Sequence, residues 1–193
     1  VLASTGDTHL GGDDFDQLIL THLLTHIEEE LGVSVTDEDQ SLRARLLRAA
    51  EAAKVTLSSA PYAHIEEDHV GDVAGEVRHL SFELSRHDFE DMITPLLDQT
   101  MEAVNRALTD AMVRPSQIDK ILLVGGSTRI PRVAALLNER LGQEPHGEVD
   151  PDLCVAFGAA VQAGVEMGMD VQSVLVDITP YTFGTSVLGE LYG

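Results

Sequence analysis

Val124-Gly125-Gly126-Ser127-Thr128-Arg129-Ile130-Pro131 is the stretch of sequence that is most informative about the fold. It continues the apolar run at residues 121–124, which is typical of a short strand buried on both faces. Two glycines then end the strand, and Pro131 suits the first position of a helix. The stretch therefore predicts a strand, a turn and a helix in an α/β protein, with free backbone N–H groups and a helix dipole at the end of the strand.

This predicted turn is suited to a phosphate group. Gly125 and Gly126 would let the backbone approach the ligand closely, and N–H groups at a helix start bind anions. Arg129 would then stack on a base or reach a phosphate. The alternative is a tight turn without a ligand, because a pair of glycines is a weak motif by itself.

A second glycine pair, Gly11-Gly12, opens the first predicted helix. Two such openings in one small chain are more suggestive than one, because a ligand between them would meet both helix N-termini.

Polar residues on two further helices are candidates for the same ligand. Glu51, Lys54 and Ser58 are spaced i, i+3 and i+7, so they project from one helix face. A carboxylate, an ammonium and a hydroxyl suit a ribose or a polar base edge, whereas the alternative is a solvated face with a Glu–Lys pair. Asp152 would hold a hydrated metal or cap the helix at residues 151–168.

Apolar periodicity organises the whole chain. It predicts an opening strand at residues 1–3 and helices at 12–31, from about 42 to Pro61, from 85 to about Met112, from Pro131 onward and at 151–168. Residues 62–84 and 171–193 have β character, and the small residues of the last helix favour close packing against a sheet. Helices flanking a mixed sheet predict an α/β fold, with an α+β insertion around residues 12–90.

Composition limits the classes of partner. The 193 residues include 12 Lys and Arg against 33 Asp and Glu, a formal charge of −21. Such a chain lacks the basic face that nucleic acid or an anionic membrane requires. A single cysteine, Cys154, excludes an internal disulfide framework and fits a reducing compartment, so we expect a soluble, cytoplasmic protein. Apolar residues at both ends indicate a piece of a longer chain.

Taken in order, these segments resemble the second lobe of the nucleotide-binding domain of the 70-kilodalton heat-shock chaperones, the DnaK-like family. The matching segments are collinear and span nearly the whole chain: Gly6–Asp16, Ala49–Ser59, Leu123–Pro131, Asp150–Asp152, Ala156–Gln162 and Asp177–Pro180. Leu153-Cys154 and Tyr181–Ser186 depart from the family pattern, which indicates a divergent paralogue of bacterial type.

The resemblance implies a domain organisation. Residues 1–170 would form lobe II of an actin-like ATPase, half of a duplicated ribonuclease-H-like fold, with the inserted subdomain at about 12–90. Residues 171–177 would be the interdomain linker, and residues 178–193 the start of the peptide-binding β-domain.

The resemblance also implies that ATP or ADP, with Mg²⁺, lies between this lobe and another. The implied ligand residues are Gly12 and Asp13 at the border of the nucleotide, Glu51, Lys54 and Ser58 at the adenosine, Gly125, Gly126 and Ser127 at the phosphate and sugar, Arg129 near the adenine with Ile130 beside it, and Asp152 at the magnesium through water.

The function implied is that of an ATP-dependent molecular chaperone, in which this lobe couples the nucleotide state through the linker to peptide binding. Its partners would be a GrpE-type nucleotide-exchange factor on the inserted subdomain, a J-domain co-chaperone, and unfolded peptide through a downstream domain. The family's catalytic lysine and phosphate hairpins would lie upstream of Val1, so we expect no ATP hydrolysis by these residues alone. Two alternatives remain: a lobe of an actin-fold small-molecule kinase, and a non-catalytic docking module for the exchange factor and J-domain partners.

Overall fold

The structure is a computed structural model that describes residues 1–147 and 150–169. Its elements, in chain order, are α1 (Gly12–Leu31), α2 (Gln40–Leu57), β1 (Tyr62–Val73), β2 (Glu76–Ser85), α3 (Arg86–Asp110), α4 (Pro131–Leu141) and α5 (Cys154–Glu166). Short 3₁₀ turns at Pro115–Gln117 and Gly126–Arg129 lie between α3 and α4.

Strands β1 and β2 form an antiparallel hairpin. Their register runs from Tyr62 opposite Ser85 to Val73 opposite Glu76, with a shift between Glu67 and Gly71. Apolar and polar residues alternate along both strands, so that one face is buried. The buried side chains are Ala63, Ile65, Val70, Leu80 and Leu84.

The core lies between this hairpin and the first three helices. Each helix buries apolar residues spaced by three and four, the repeat of one helix face. The buried apolar residues are Phe15, Ile19, Leu20, Leu23 and Ile27 of α1, Leu46, Ala50, Ala53 and Leu57 of α2, and Phe89, Ile93, Leu97 and Met101 of α3. Because α2 packs against both α1 and β1, the start of α1 lies beside the C-terminal half of α2.

The first three helices lie where the periodicity predicted them, but α2 and α3 each end a few residues earlier than predicted. Helix α2 ends at Leu57 rather than near Pro61, and the side chain of Arg86 donates hydrogen bonds to the carbonyls of Leu57 and Ala60 at 2.7 and 2.9 Å. The bond to Leu57 satisfies one of the terminal carbonyls that have no partner within the helix. Helix α3 ends at Asp110, just before Met112 takes a φ of 55°.

The strand predicted at residues 121–124 is largely absent. Leu122 forms one isolated parallel bridge with His146, and the side chains of Leu122 and Val124 are 51% and 42% exposed. The prediction of a strand buried on both faces is therefore wrong, because a strand needs hydrogen-bonded neighbours along its length. The opening strand at residues 1–3 is likewise absent, and Leu2 is 78% exposed.

Helix α5 does not pack as its small residues predicted. Gly164 is its one buried residue, whereas Val155 and Phe157 are 71% and 59% exposed. Small residues permit close packing but do not supply a partner, and the two-stranded sheet packs against other helices. Even with α5 included, no helix in the described ranges has the length and apolar character needed to cross a membrane.

The described residues thus combine helices with a small sheet, a mixed α/β composition. The elements α1, α2, β1 and β2 fall within the residues predicted to form the α+β insertion. The second β region, the linker and the start of the β-domain, predicted at residues 171–193, lie outside the described residues.

Candidate functional site

The ammonium of Lys54 joins α2 to the start of α1. Its Nζ donates to the backbone oxygen of Gly12 at 3.0 Å and to Oδ2 of Asp16 at 2.8 Å. The Lys54 and Asp16 side chains are only 14% and 7% exposed. The Glu–Lys pair considered from the sequence is not formed, since Lys54 pairs with Asp16 rather than with Glu51.

Gly12 is the point where three segments meet. A Cβ built at this position would lie 3.1 Å from Oγ of Ser127 and 3.2 Å from Nζ of Lys54. Both distances are tighter than most real Cβ contacts. Glycine therefore lets α1, α2 and the turn after residue 125 converge.

Asp16 is the buried charge of this arrangement. Burial raises the pKa of its carboxyl above the usual 3.8, an effect larger than the opposing effect of the hydrogen bond from Lys54. Its second oxygen, Oδ1, is buried and has no hydrogen-bond partner among residues 1–147 and 150–169. The carboxylate thus depends mainly on Lys54 for compensation.

The glycine-rich turn is held by its own backbone. Gly125 takes a φ of 92°, a conformation that favours glycine, and its N–H donates to the carbonyl of Pro151 at 2.9 Å. Thr128 returns two hydrogen bonds to the carbonyl of Gly125, from its N–H at 3.1 Å and its hydroxyl at 2.7 Å.

The helix after this turn begins at Pro131 as predicted, but the free N–H groups of the turn lie before it. Residues Gly126–Arg129 form a 3₁₀ turn, and α4 begins only at Pro131. No residue in the described part of the chain accepts a hydrogen bond from the N–H groups of Gly126 and Ser127. These donors therefore belong to the 3₁₀ turn and not to the first turn of an α-helix.

Arg129 is fixed by two carboxylates. Its Nε and Nη2 donate to Oδ2 of Asp152 at 3.1 and 2.6 Å, and Nη2 lies 3.5 Å from Oδ1 of Asp150. The hydrogen bond to Asp152 raises the pKa of Arg129 above its usual value. The side chain of Asp152 does not cap α5, the alternative considered from the sequence. Its other oxygen, Oδ1, faces Gly126, where a built Cβ would lie 3.6 Å away.

These groups surround one cavity of about 430 Å³, within the size range of small-molecule sites. Its lining combines two cations, two carboxylates, two hydroxyls and two aliphatic side chains. The lining residues are Glu51, Lys54, Val55, Ser58, Gly126, Ser127, Arg129, Ile130 and Asp152.

Three of the residues singled out from the sequence lie outside this lining. Gly12 lies next to two lining residues, Lys54 and Ser127. Gly125 holds the turn through the hydrogen bond from its N–H to the carbonyl of Pro151. Asp13 instead borders a neighbouring cavity of about 230 Å³, together with Asp16. The structure therefore gathers four separated segments into one place but leaves Asp13 to one side.

Sequence reasoning missed the role of Asp16 at this site. Asp16 follows Phe15 on the apolar stripe of α1, and a carboxylate on a buried stripe needs a partner, which is a signal that the sequence did contain. Val55 follows Lys54 on α2 and lines the cavity.

The cavity residues fit a nucleotide better than a metal ion alone. Lys54, Arg129 and the serine hydroxyls supply donors for sugar and phosphate oxygens, and the aliphatic residues supply a surface for a base. Within residues 1–147 and 150–169, no group of three or more His, Cys, Asp or Glu residues is arranged to hold a metal. A Mg²⁺ ion would therefore be held mainly by phosphates and water, with Asp152 as a carboxylate that could contact it through water.

A cavity of similar size, about 460 Å³, lies between α3 and residues 118–121. Its lining is mostly aliphatic, from residues such as Leu10, Val104 and Leu141. Its polar side chains, which include Thr5, Thr100 and Lys120, are a minority among apolar ones, so it is the poorer match for a polar ligand.

The whole sequence matches a known protein family. The model of the family described as Hsp70 protein matches residues 1–193, the full length of the chain. The resemblance read from the glycine turns and from the Glu51, Lys54 and Ser58 face is thereby confirmed. This chain belongs to the Hsp70 family of heat-shock chaperones.

Proposed function

We propose that this chain forms lobe II of an actin-like nucleotide-binding domain and holds the adenosine and part of the phosphates of ATP or ADP. One observation carries the proposal: residues from α2, from the turn after Gly125 and from the start of the α5 segment line a single polar cavity. Proteins of the Hsp70 family generally bind ATP or ADP with Mg²⁺.

The roles proposed for the side chains follow from their chemistry. Lys54 donates a hydrogen bond to the sugar. The hydroxyl of Ser58, which donates to the carbonyl of Lys54 at 3.3 Å, and the carboxylate of Glu51 accept hydrogen bonds from the sugar hydroxyls. The N–H groups of Gly126 and Ser127, which donate to no acceptor among the described residues, bind phosphate oxygens. Arg129, whose planar guanidinium is held in place by Asp152, stacks against the base beside Ile130. Asp152 contacts Mg²⁺ through water.

The proposed role is binding without hydrolysis by these residues alone. Phosphoryl transfer needs groups on both sides of the γ-phosphate. The described cavity residues would contact the ligand from one side only. Both cations of the cavity, Lys54 and Arg129, are already paired with carboxylates. Hydrolysis then requires residues of the opposite lobe.

The family membership favours a chaperone over a small-molecule kinase of the same fold. The match includes residues 171–193, where a kinase would continue into further kinase sequence. We propose that residues 171–177 act as the linker that couples nucleotide state to a peptide-binding domain starting near residue 178.

Family members generally act with J-domain proteins, nucleotide-exchange factors and unfolded peptides. On this basis we place an exchange factor of the GrpE type on the α1–β2 region. This docking role is compatible with nucleotide binding and does not replace it.

The experiment that tests the binding role is a calorimetric titration of the 193-residue chain with ADP and Mg²⁺. Ser58→Ala removes a hydroxyl that lines the cavity, whereas Ser59→Ala removes one from the next residue, which does not line it. We expect Ser58→Ala to weaken ADP binding by about two- to tenfold, the effect of losing one hydrogen bond. We expect Ser59→Ala to bind like the unaltered chain. Equal affinities for all three proteins, or no ADP binding by the unaltered chain, would contradict the proposal.

A further inference from the structure

The Asp16–Lys54 ion pair also determines where the N–H donors of Lys54 are directed. An ammonium has three N–H donors, and two of those on Lys54 are directed to Gly12 O and Asp16 Oδ2. Both acceptors belong to α1, and neither Gly12 nor Asp16 is among the residues that line the cavity, whereas Lys54 is. The third donor is therefore left for the cavity.

The rest of the surroundings restricts the ammonium to this position. The Lys54 side chain is 14% exposed, so water has little access to it, and Gly12 leaves a space that a side chain would fill. Asp16 itself is fixed, because it lies on the buried face of α1 between Phe15 and Ile19. A long, flexible lysine is thus held in one orientation before any ligand arrives.

We infer that Asp16 is a positioning residue for nucleotide binding: it fixes the Lys54 ammonium so that one N–H points at a ligand oxygen. Asp16 does not line the Lys54 cavity and acts only through Lys54. This inference rests on the proposed function, because it takes the ligand of the cavity to be ADP or ATP. Pre-orientation helps binding because the rotamer entropy of the lysine is lost in folding and not on association.

A double-mutant cycle distinguishes a positioning role of Asp16 from a general structural role. Asp16→Asn keeps the shape of the side chain and an acceptor oxygen but removes the charge, and Lys54→Met keeps the aliphatic stem but removes the ammonium. If Asp16 acts through Lys54, Asp16→Asn weakens ADP binding in the unaltered chain and has no further effect in the Lys54→Met background.

ADP affinity is measured by titration for the unaltered chain, both single variants and the double variant, after thermal melts confirm that each is folded. We expect a loss of about tenfold for Lys54→Met and about three- to tenfold for Asp16→Asn, with the double variant equal to Lys54→Met. Glu28→Gln, which neutralises an exposed carboxylate far along the same helix, is the matched control and should leave ADP affinity unchanged.

Equal losses from Asp16→Asn in both backgrounds, or no loss in either, would overturn the positioning role while leaving the binding role intact. No ADP binding by the unaltered chain would overturn both. If Asp16→Asn unfolds at the assay temperature, Asp16→Glu replaces it in the same cycle. That variant keeps the charge but shifts it by one methylene. A loss of ADP affinity in the chain that keeps Lys54, but not in the Lys54→Met chain, supports the inference, and unchanged ADP affinity in both refutes it.

Discussion

Gly12→Ala tests the convergence of α1, α2 and the glycine turn with the smallest change that a side chain allows. The added Cβ would lie 3.2 Å from Nζ of Lys54 and 3.1 Å from Oγ of Ser127, so both neighbours must shift by a few tenths of an ångström. Each of these polar atoms belongs to a residue that lines the proposed nucleotide site. A shift of that size weakens hydrogen bonds that depend on distance and direction.

The expected loss in ADP affinity is about two- to tenfold, which corresponds to one weakened hydrogen bond of about 0.5–1.5 kcal/mol. Folding stability should change much less. Alanine is favoured over glycine by up to about 1 kcal/mol inside a helix, and this preference offsets part of the crowding at the first position of α1.

Gly11→Ala is the matched control for this prediction. Gly11 precedes Gly12 as the N-cap of α1, has an extended φ of −159°, and has no atom within 4 Å of a built Cβ. Alanine is a poorer N-cap than glycine, so stability should fall by a few tenths of a kcal/mol to about 1 kcal/mol while ADP affinity is retained. Calorimetric titration and urea denaturation of both variants give the two quantities. Unchanged affinity in Gly12→Ala, or equal losses in both variants, would refute the convergence argument.

Three further predictions concern stability. Leu23 is fully buried on α1, so Leu23→Ala should lower the free energy of unfolding by about 2.5–5 kcal/mol in urea denaturation, and a loss below about 1 kcal/mol would contradict the described core. Because burial raises the pKa of Asp16 above 3.8, the stability of the unaltered chain relative to Asp16→Asn should be greatest below pH 3.8 and fall as the pH rises through the raised pKa; a difference that grows with pH would show the opposite shift. Arg45 donates to Oε2 of Glu67 at 2.6 Å and to the carbonyl of Asp68, so Arg45→Gln should cost about 1 kcal/mol and speed amide exchange at the β1 bulge, whereas unchanged exchange there would exclude this anchoring role.

The part of the fold that could be predicted is the part that depends on local pattern. Apolar residues spaced by three and four located α1, α2 and α3, and alternation located the β1–β2 hairpin, because both patterns determine which face is buried. The spacing of Glu51, Lys54 and Ser58 similarly placed three polar groups on one helix face, and all three line the cavity.

The part that could not be predicted depends on distant partners. Residues 121–124 have the composition of a buried strand, but composition does not tell how many neighbouring strands are present, and Leu122 is half exposed. Phe157 on α5 shows the same effect. At the site, Lys54 pairs with Asp16, 38 positions away, rather than with Glu51 on its own helix, because packing of α1 against α2 decides which carboxylate is near.

The pairing of Arg129 with Asp152 and of Lys54 with Asp16 has a consequence for how an anion reaches this site. Each positive charge already has a negative neighbour, and the whole chain carries a formal charge of −21, so no attractive field draws a phosphate in from a distance. Affinity must then come from short-range, directional contacts formed after encounter. Added salt would screen the repulsion between protein and nucleotide, so moderate ionic strength should speed their association, the opposite of what is usual for an anion that binds a basic protein.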